Sequence, residues 1–362
     1  MSGLDGGVAW SVVEGGLPPG TFFGPREVAR SEVDGRAGEV RWSWSTLELL
    51  QTCPRKFLLA VVERVRPTGY DSALRIGVTV HTALEVFWRY VLYIDGREGG
   101  GGGRDDPAGL EAAVEAALVG ALRVIDEDPR IEAGDRLVAE RVVRYFGLET
   151  AQDQVRRWVP LWIEGVLSVD LRGLLGGRGG AIPWEARPDL IVEEREGLLG
   201  GHPGVWVVDH KTASTVRPGA FTAYRQDGQA LGNVAAAILG GWPDVLGFVP
   251  NLLGKESTPS FERGYVRPVR KLLSEFARTV RTWQAAYRGR CLADVWPRVH
   301  AACVGRYGLC SYYDPCEEGA GMAPLIGSTS YPGFARPGED GASVDDGLLG
   351  AMLDRISEAK RR

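Results

Sequence analysis

An α/β fold, with a helical insertion ahead of the sheet, is what this sequence predicts. Three observations carry that expectation. Helical spacing of apolar residues runs through 43–93 and 108–157, strand-type apolar runs follow at 161–171, 182–193 and 205–211, and a helix-type run at 229–239 separates these from strand signals at 245–249 and 261–266. The element order is therefore helix, three strands in a meander, helix and strand, with a further helix over 269–290. Glycine and proline punctuate the chain into five segments: a flexible N-terminal segment 1–38, a helical segment 39–95, a glycine-rich linker with the helical insertion 96–157, the core 158–300, and a cysteine-bearing tail 301–362. The insertion is expected to guide substrate.

Composition bounds the class. The chain has 362 residues, 44% of them hydrophobic and 25% charged, so it is long enough for one large domain or two smaller ones. No apolar run approaches the roughly 20 residues of a membrane span, and no signal peptide is visible, so a cytoplasmic protein without a membrane partner is expected. A net charge of −5 gives no global nucleic-acid footprint. Any such affinity must come from a local patch, and Lys271, Arg278, Arg281 and Arg288 recur along one face of the helix over 269–290.

The strand 205–211 ends on Asp209-His210-Lys211. Strand alternation puts Asp209 and Lys211 on one face and His210 on the other. Asp189, in the preceding run, supplies a second carboxylate, and hard oxygen ligands of this kind suit Mg²⁺ or Mn²⁺. A protonated lysine cannot bind the metal, but it can orient or help deprotonate a water, or neutralise charge building on a phosphate. An Asp-x-Lys triplet at a strand end is common by chance, so its company matters. His81 lies on a helical pattern with Leu74, Val78, Leu84, Glu85 and Trp88, one turn from Glu85, and a packed helix would project it toward such a site. His202, His210 and His300 receive no catalytic role.

The five cysteines are too few for a disulfide scaffold. Cys303, Cys310 and Cys316 fall within fourteen residues as C-x6-C-x5-C, and Cys53 sits some 250 residues earlier beside Pro54. Four thiolates fit either Zn²⁺ or an iron-sulfur cluster, and the spacing leaves the two open. Cys291 reads as a small buried hydrophobe on a helix. Trp42, Trp44, Tyr307, Tyr312 and Tyr313 crowd these cysteines and could stack on bases, although core packing is the commoner use.

Together, Ser43-Trp44-Ser45, Cys53-Pro54-Arg55-Lys56-Phe57, Gly77 with His81, Asp189, Asp209-His210-Lys211 and the late cysteine trio resemble the iron-sulfur branch of the RecB-like PD-(D/E)XK nuclease superfamily, over about residues 41–316. That branch includes the AddB-type subunits and the CRISPR-associated exonucleases of bacteria and phages. The resemblance implies a restriction-endonuclease-like core of order α-β-β-β-α-β with an iron-sulfur clamp. It implies His81, Asp189 and Asp209 as ligands of Mg²⁺ or Mn²⁺, Lys211 as the catalytic lysine, and Cys53, Cys303, Cys310 and Cys316 as ligands of a [4Fe-4S] cluster. Three departures stand out: Ala186 where the family often has glycine, His210 where it has an aromatic, and Gln229 followed by Asn233 where it has Q-x-x-x-Y. Gln229 is the residue assigned to that glutamine.

The activity implied is exonucleolytic hydrolysis of DNA, single-stranded ends being preferred, in recombination, repair or phage DNA processing. No G-x-x-x-x-G-K-[ST] motif is present, so any helicase motor, or a CRISPR adaptation complex, would be a partner. The rival from another class is a non-catalytic iron-sulfur DNA-binding subunit of such an assembly. A zinc-binding structural protein is the third reading. The quartet His81, Asp189, Asp209 and Lys211 argues against the non-catalytic subunit, which would have no chemical use for it.

Overall fold

The computed structural model describes residues 40–67, 72–97, 107–129, 131–197, 203–217, 219–305, 308–317 and 334–335. The expectations for residues 1–38, for most of the glycine-rich stretch 97–106, and for His202 and Tyr307 lie outside them. In chain order the elements are α1 (Trp44–Thr52), α2 (Pro54–Phe57), β1 (Arg66–Pro67), α3 (Ser72–Arg97), α4 (Pro107–Glu127), α5 (Ala133–Phe146), α6 (Gln152–Arg157), β2 (Trp158–Ile163), β3 (Leu167–Asp170), β4 (Pro183–Ala186) and β5 (Leu190–Glu194). There follow β6 (Gly204–Ala213), α7 (Gly228–Leu239), β7 (Val245–Gly254), β8 (Phe261–Arg263), α8 (Arg270–Ala293), β9 (Val304–Gly305), β10 (Gly308–Leu309), α9 (Tyr313–Glu317) and β11 (Phe334–Ala335). No helix among the described residues is long and apolar enough to cross a membrane.

A five-stranded mixed sheet, in the order β2-β5-β6-β7-β8, forms the middle layer. All its neighbours are antiparallel except β6 and β7, which run parallel because α7 carries the chain from the end of one to the start of the other. Strand alternation gives the sheet two apolar faces. On one, Leu190, Val192, Trp206, Val208, Val249 and Leu253 pack with α3, α4 and α5. On the other, Ile191, Val207 and Phe248 pack with α1, α7 and α8.

Two sequence-predicted strands each divide. The run 161–171 splits into β2 and β3, because Glu164 and Gly165 adopt φ of 41° and 128°, which no strand accommodates. The run 182–193 splits into β4 and β5 around Arg187-Pro188, where proline has no N–H for a ladder. The freed halves β3 and β4 pair with each other as a separate two-stranded sheet. The helical insertion is also not a lobe of its own. Val114, Ala117, Ala121 and Ile125 of α4 and Ala139, Val142, Val143 and Phe146 of α5 belong to the same core as Val80, Leu84 and Phe87 of α3 and one face of the sheet.

Candidate active site

The predicted residues meet at the end of the sheet where β6 finishes and β5 begins. Asp189 stands just before β5, Asp209 and Lys211 lie in the second half of β6, and His81 lies in the third turn of α3. His81 Nδ1 is 3.2 Å from Asp189 Oδ1. The other oxygen of Asp189 accepts the backbone N–H of His210, which ties the β5 carboxylate to the β6 backbone. Lys211 Nζ lies 2.6 Å from Asp209 Oδ2 as an ion pair.

Gln229 joins from the other core layer. Its Nε2 donates to Asp209 Oδ1 at 3.2 Å. Asp227 caps α7 by accepting from Ala230 N at 2.8 Å, which fixes the first turn that carries Gln229. A Cβ on Gly228 would fall 1.9 Å from the Trp44 ring, so only glycine lets α1 close against this helix start. Trp44 and the buried Trp42, which stacks on Phe57 and meets Tyr287 edge-on, are thus core residues. Asn233, where the family pattern has tyrosine, is buried.

The two aspartates are pushed apart electrostatically. Burial opposes ionisation of both. For Asp189, His81 outweighs it and holds the carboxyl well below the usual carboxylate range. For Asp209 burial wins over Lys211, and the pKa rises to about 6. Burial would lower Lys211 and His81, but Asp209 outweighs it for the lysine and Asp189 for the histidine, so both sit above their ordinary values. At neutral pH Lys211 is therefore an ammonium. Burial, foremost, raises the pKa of Tyr224, which is near enough for the charges of Lys211 and Asp209 to act on its phenol.

Sequence reasoning missed Glu164, one of three residues, with His81 and Asp189, whose donor atoms lie within 4.8 Å of one another. Burial, with Asp189 and Glu85 adding, pushes Glu164 well above the usual range. Its only sequence signal is an acidic residue followed by glycine inside an apolar run. Glu85 is engaged with Arg89 at 2.7 Å.

His210 faces the opposite layer, as alternation predicts, and does more there than fill space. Arg263 Nε donates to Asn251 Oδ1 at 3.0 Å, which turns the Asn251 amide nitrogen toward His210 Nδ1 at 3.3 Å. Nδ1 must then accept, placing the neutral imidazole's proton on Nε2. The ring meets Phe146 edge-on, and burial pushes its pKa down to about 4. A folded pKa below that of a free histidine gives stability that is complete above about pH 6.5 and is lost as pH falls toward 4. His210→Phe has no such slope. Between pH 7 and pH 4.5 the wild type should lose about 2–3 kcal/mol relative to this variant in denaturant unfolding, and a pH-independent difference would remove the assignment.

The cysteines form a second centre. Cys53, Cys303, Cys310 and Cys316 all line one cavity of about 290 Å³, together with Lys56, Arg298, His300 and Tyr312. All are free thiols. Backbone and side-chain contacts draw the distant segments together: Arg55 N donates to Pro297 O at 3.2 Å, and Tyr312 Oη donates to Val65 O at 2.7 Å. Burial, foremost, raises the Cys316 thiol, with Cys53 and Cys303 adding to it. Cys291 is on α8, packed against the second core and outside this cavity. The α8 stripe is partly committed: Arg281 donates to Arg178 O at 2.8 Å and Lys271 pairs with Glu275, while Arg278 and Arg288 are exposed.

The family profile described as "PD-(D/E)XK nuclease superfamily" matches residues 41–239, more than half of the chain. No curated protein matches. Among solved structures, the crystal structure of a "putative exonuclease" from Eubacterium rectale is similar with a TM-score of 0.43 at 11% identity, over 81% of this chain and 94% of that one, a likeness too slight to argue from.

Proposed function

The chain belongs to the PD-(D/E)XK nuclease superfamily, and from that premise we propose that it is a Mg²⁺- or Mn²⁺-dependent deoxyribonuclease, an exonuclease acting on single-stranded ends in recombination, repair or phage DNA processing. The observation that carries the catalytic reading is the convergence of His81, Asp189, Asp209, Lys211 and Gln229 at one sheet end. An imidazole and buried carboxylates are a donor set that suits a hard divalent cation, and His81, Asp189 and Asp209 would hold it. When bound, the cation supplies Lewis-acid stabilisation of phosphoryl charge and a more acidic water. Asp189 stays ionised through His81 and the His210 N–H. Lys211, an ammonium, neutralises charge developing on the phosphate. Gln229 orients Asp209 by holding one carboxylate oxygen.

We further propose that Cys53, Cys303, Cys310 and Cys316 bind a [4Fe-4S] cluster with a structural task. The reading is supported by their shared cavity. Four thiolates fit either zinc or an iron-sulfur cluster, and the choice of iron-sulfur rests on the family resemblance. Preference for single-stranded ends, and a helicase or CRISPR adaptation partner, rest on the family resemblance.

The test separates the two centres. EDTA treatment and dialysis should abolish cleavage of a labelled single-stranded oligonucleotide, Mn²⁺ or Mg²⁺ should restore it, and the brown absorbance of anaerobically purified protein should persist throughout. DNA binding without cleavage under every metal condition would favour the non-catalytic subunit instead.

A further inference from the structure

Glu164, just after β2, takes a backbone conformation that side chains with a Cβ rarely adopt, φ 41°, and Gly165 follows at φ 128°. Nothing about chain reversal requires a glutamate there, and glycine or asparagine would fit the bend with less strain. The bend is nonetheless anchored, because Glu164 N donates to Asp189 O at 2.8 Å. That bond carries the Glu164 side chain to the place where its carboxylate, His81 and Asp189 have donor atoms within 4.8 Å.

Arg187 is the cation whose charge acts on this carboxylate, and burial outweighs it. His81 is paired with Asp189, Lys211 with Asp209 and Arg89 with Glu85. Two carboxylates held this close repel each other unless a proton or a metal ion lies between them. Left-handed strain at a non-glycine residue survives where the surroundings over-determine it, and such sites cluster at active centres.

Resting on the nuclease reading above, we propose that Glu164 is a fourth cation ligand, joining His81, Asp189 and Asp209. The site then holds one imidazole and three carboxylates drawn from α3, the bend after β2, β6 and the approach to β5. This placement has an unusual consequence for stability. Glu164→Gln removes the carboxylate charge while keeping a donor toward Asp189, and Glu164→Gly relieves the strained backbone, so the metal-free protein should become no less stable while its cation affinity falls. A merely structural glutamate behaves in the opposite way.

The experiment measures Mn²⁺ binding to the full chain by electron paramagnetic resonance and calorimetry, without DNA, for wild type, Glu164→Gln, Glu164→Gly and Asp189→Asn. Thermal melting of the metal-free proteins is recorded alongside. Both Glu164 variants should bind Mn²⁺ at least tenfold more weakly than wild type, and both should melt at or above the wild-type temperature. Glu164→Gln binding within twofold of wild type, while Asp189→Asn loses the ion, overturns the role of Glu164 and leaves the nuclease reading standing. Weaker binding accompanied by a lower melting temperature in both Glu164 variants also overturns it, since that pattern belongs to a structural residue. Wild type that binds no Mn²⁺ and cleaves no DNA overturns both readings together.

Discussion

Lys211→Ala should lower the cleavage rate at least a hundredfold to a thousandfold, about 2.7–4 kcal/mol of transition-state stabilisation, the scale on which single electrostatic groups act. The fold should hold. Lys211 is near the end of β6 with its side chain 30% exposed, so little apolar packing is lost. Asp209 loses its ion-pair partner, but with a pKa already about 6 it takes up a proton readily and avoids remaining as an unpaired buried charge. The companion variants Asp189→Ala and Asp209→Ala should each remove activity through the shared cation, and their double variant should be little worse than either alone. Rates and circular dichroism on the same preparations check this. Wild-type-like turnover in Lys211→Ala, or additive partial losses in the aspartate pair, would sink the assignment.

Cys53→Ser and Cys316→Ser should behave alike, lowering iron per chain and melting temperature together, by at least about 5 °C, because metal-binding free energy is also folding free energy. Cys53 stands between α1 and α2 and Cys316 lies in α9, far apart in the chain, and both reach the same cavity. Ligation there closes a loop of some 250 residues and removes conformational freedom from the unfolded chain. Cys291→Ser should do neither, since Cys291 lies outside that cavity on α8. Iron and melting temperature are compared for anaerobic preparations of all three. If Cys291→Ser strips the iron while Cys53→Ser leaves it in place, the ligand set and the clamp are both wrong.

What could be read in the sequence was whatever follows from periodicity. Two-residue alternation was enough to place Asp209 and Lys211 on one face of β6 and His210 on the other, and helical spacing was enough to bring His81 round toward the sheet. Gln229 was reachable only through the resemblance, as the residue standing where the family has Q-x-x-x-Y. Backbone geometry was not legible in this way. Glu164 is invisible while residues 161–171 are read as one strand, because the bend that aims it is a pair of positive φ angles and not a composition. The His210 N–H on Asp189 is likewise a main-chain contact with no side-chain signature. The split at Arg187-Pro188 was signalled by proline, yet the apolar run around it outweighed the signal. The meeting of Cys53 with the late trio depended on contacts between segments far apart in sequence, such as Arg55 with Pro297, which no local pattern encodes.

The groups proposed for catalysis are supplied by both sides of the sheet: α3, which delivers His81, is welded to one apolar core, and α7, which delivers Gln229, to the other. A cation held by His81, Asp189 and Asp209 would therefore fasten α3 to the sheet as well as serve as a reagent. Any excursion that peels α3 away would first release the ion, so ion binding would raise the free energy of that partial opening by the same mass-action amount as that of complete unfolding. Amide hydrogens of α3 should then slow their exchange as Mn²⁺ is added, and those of α7, whose Gln229 reaches the pocket only through Asp209, should slow less.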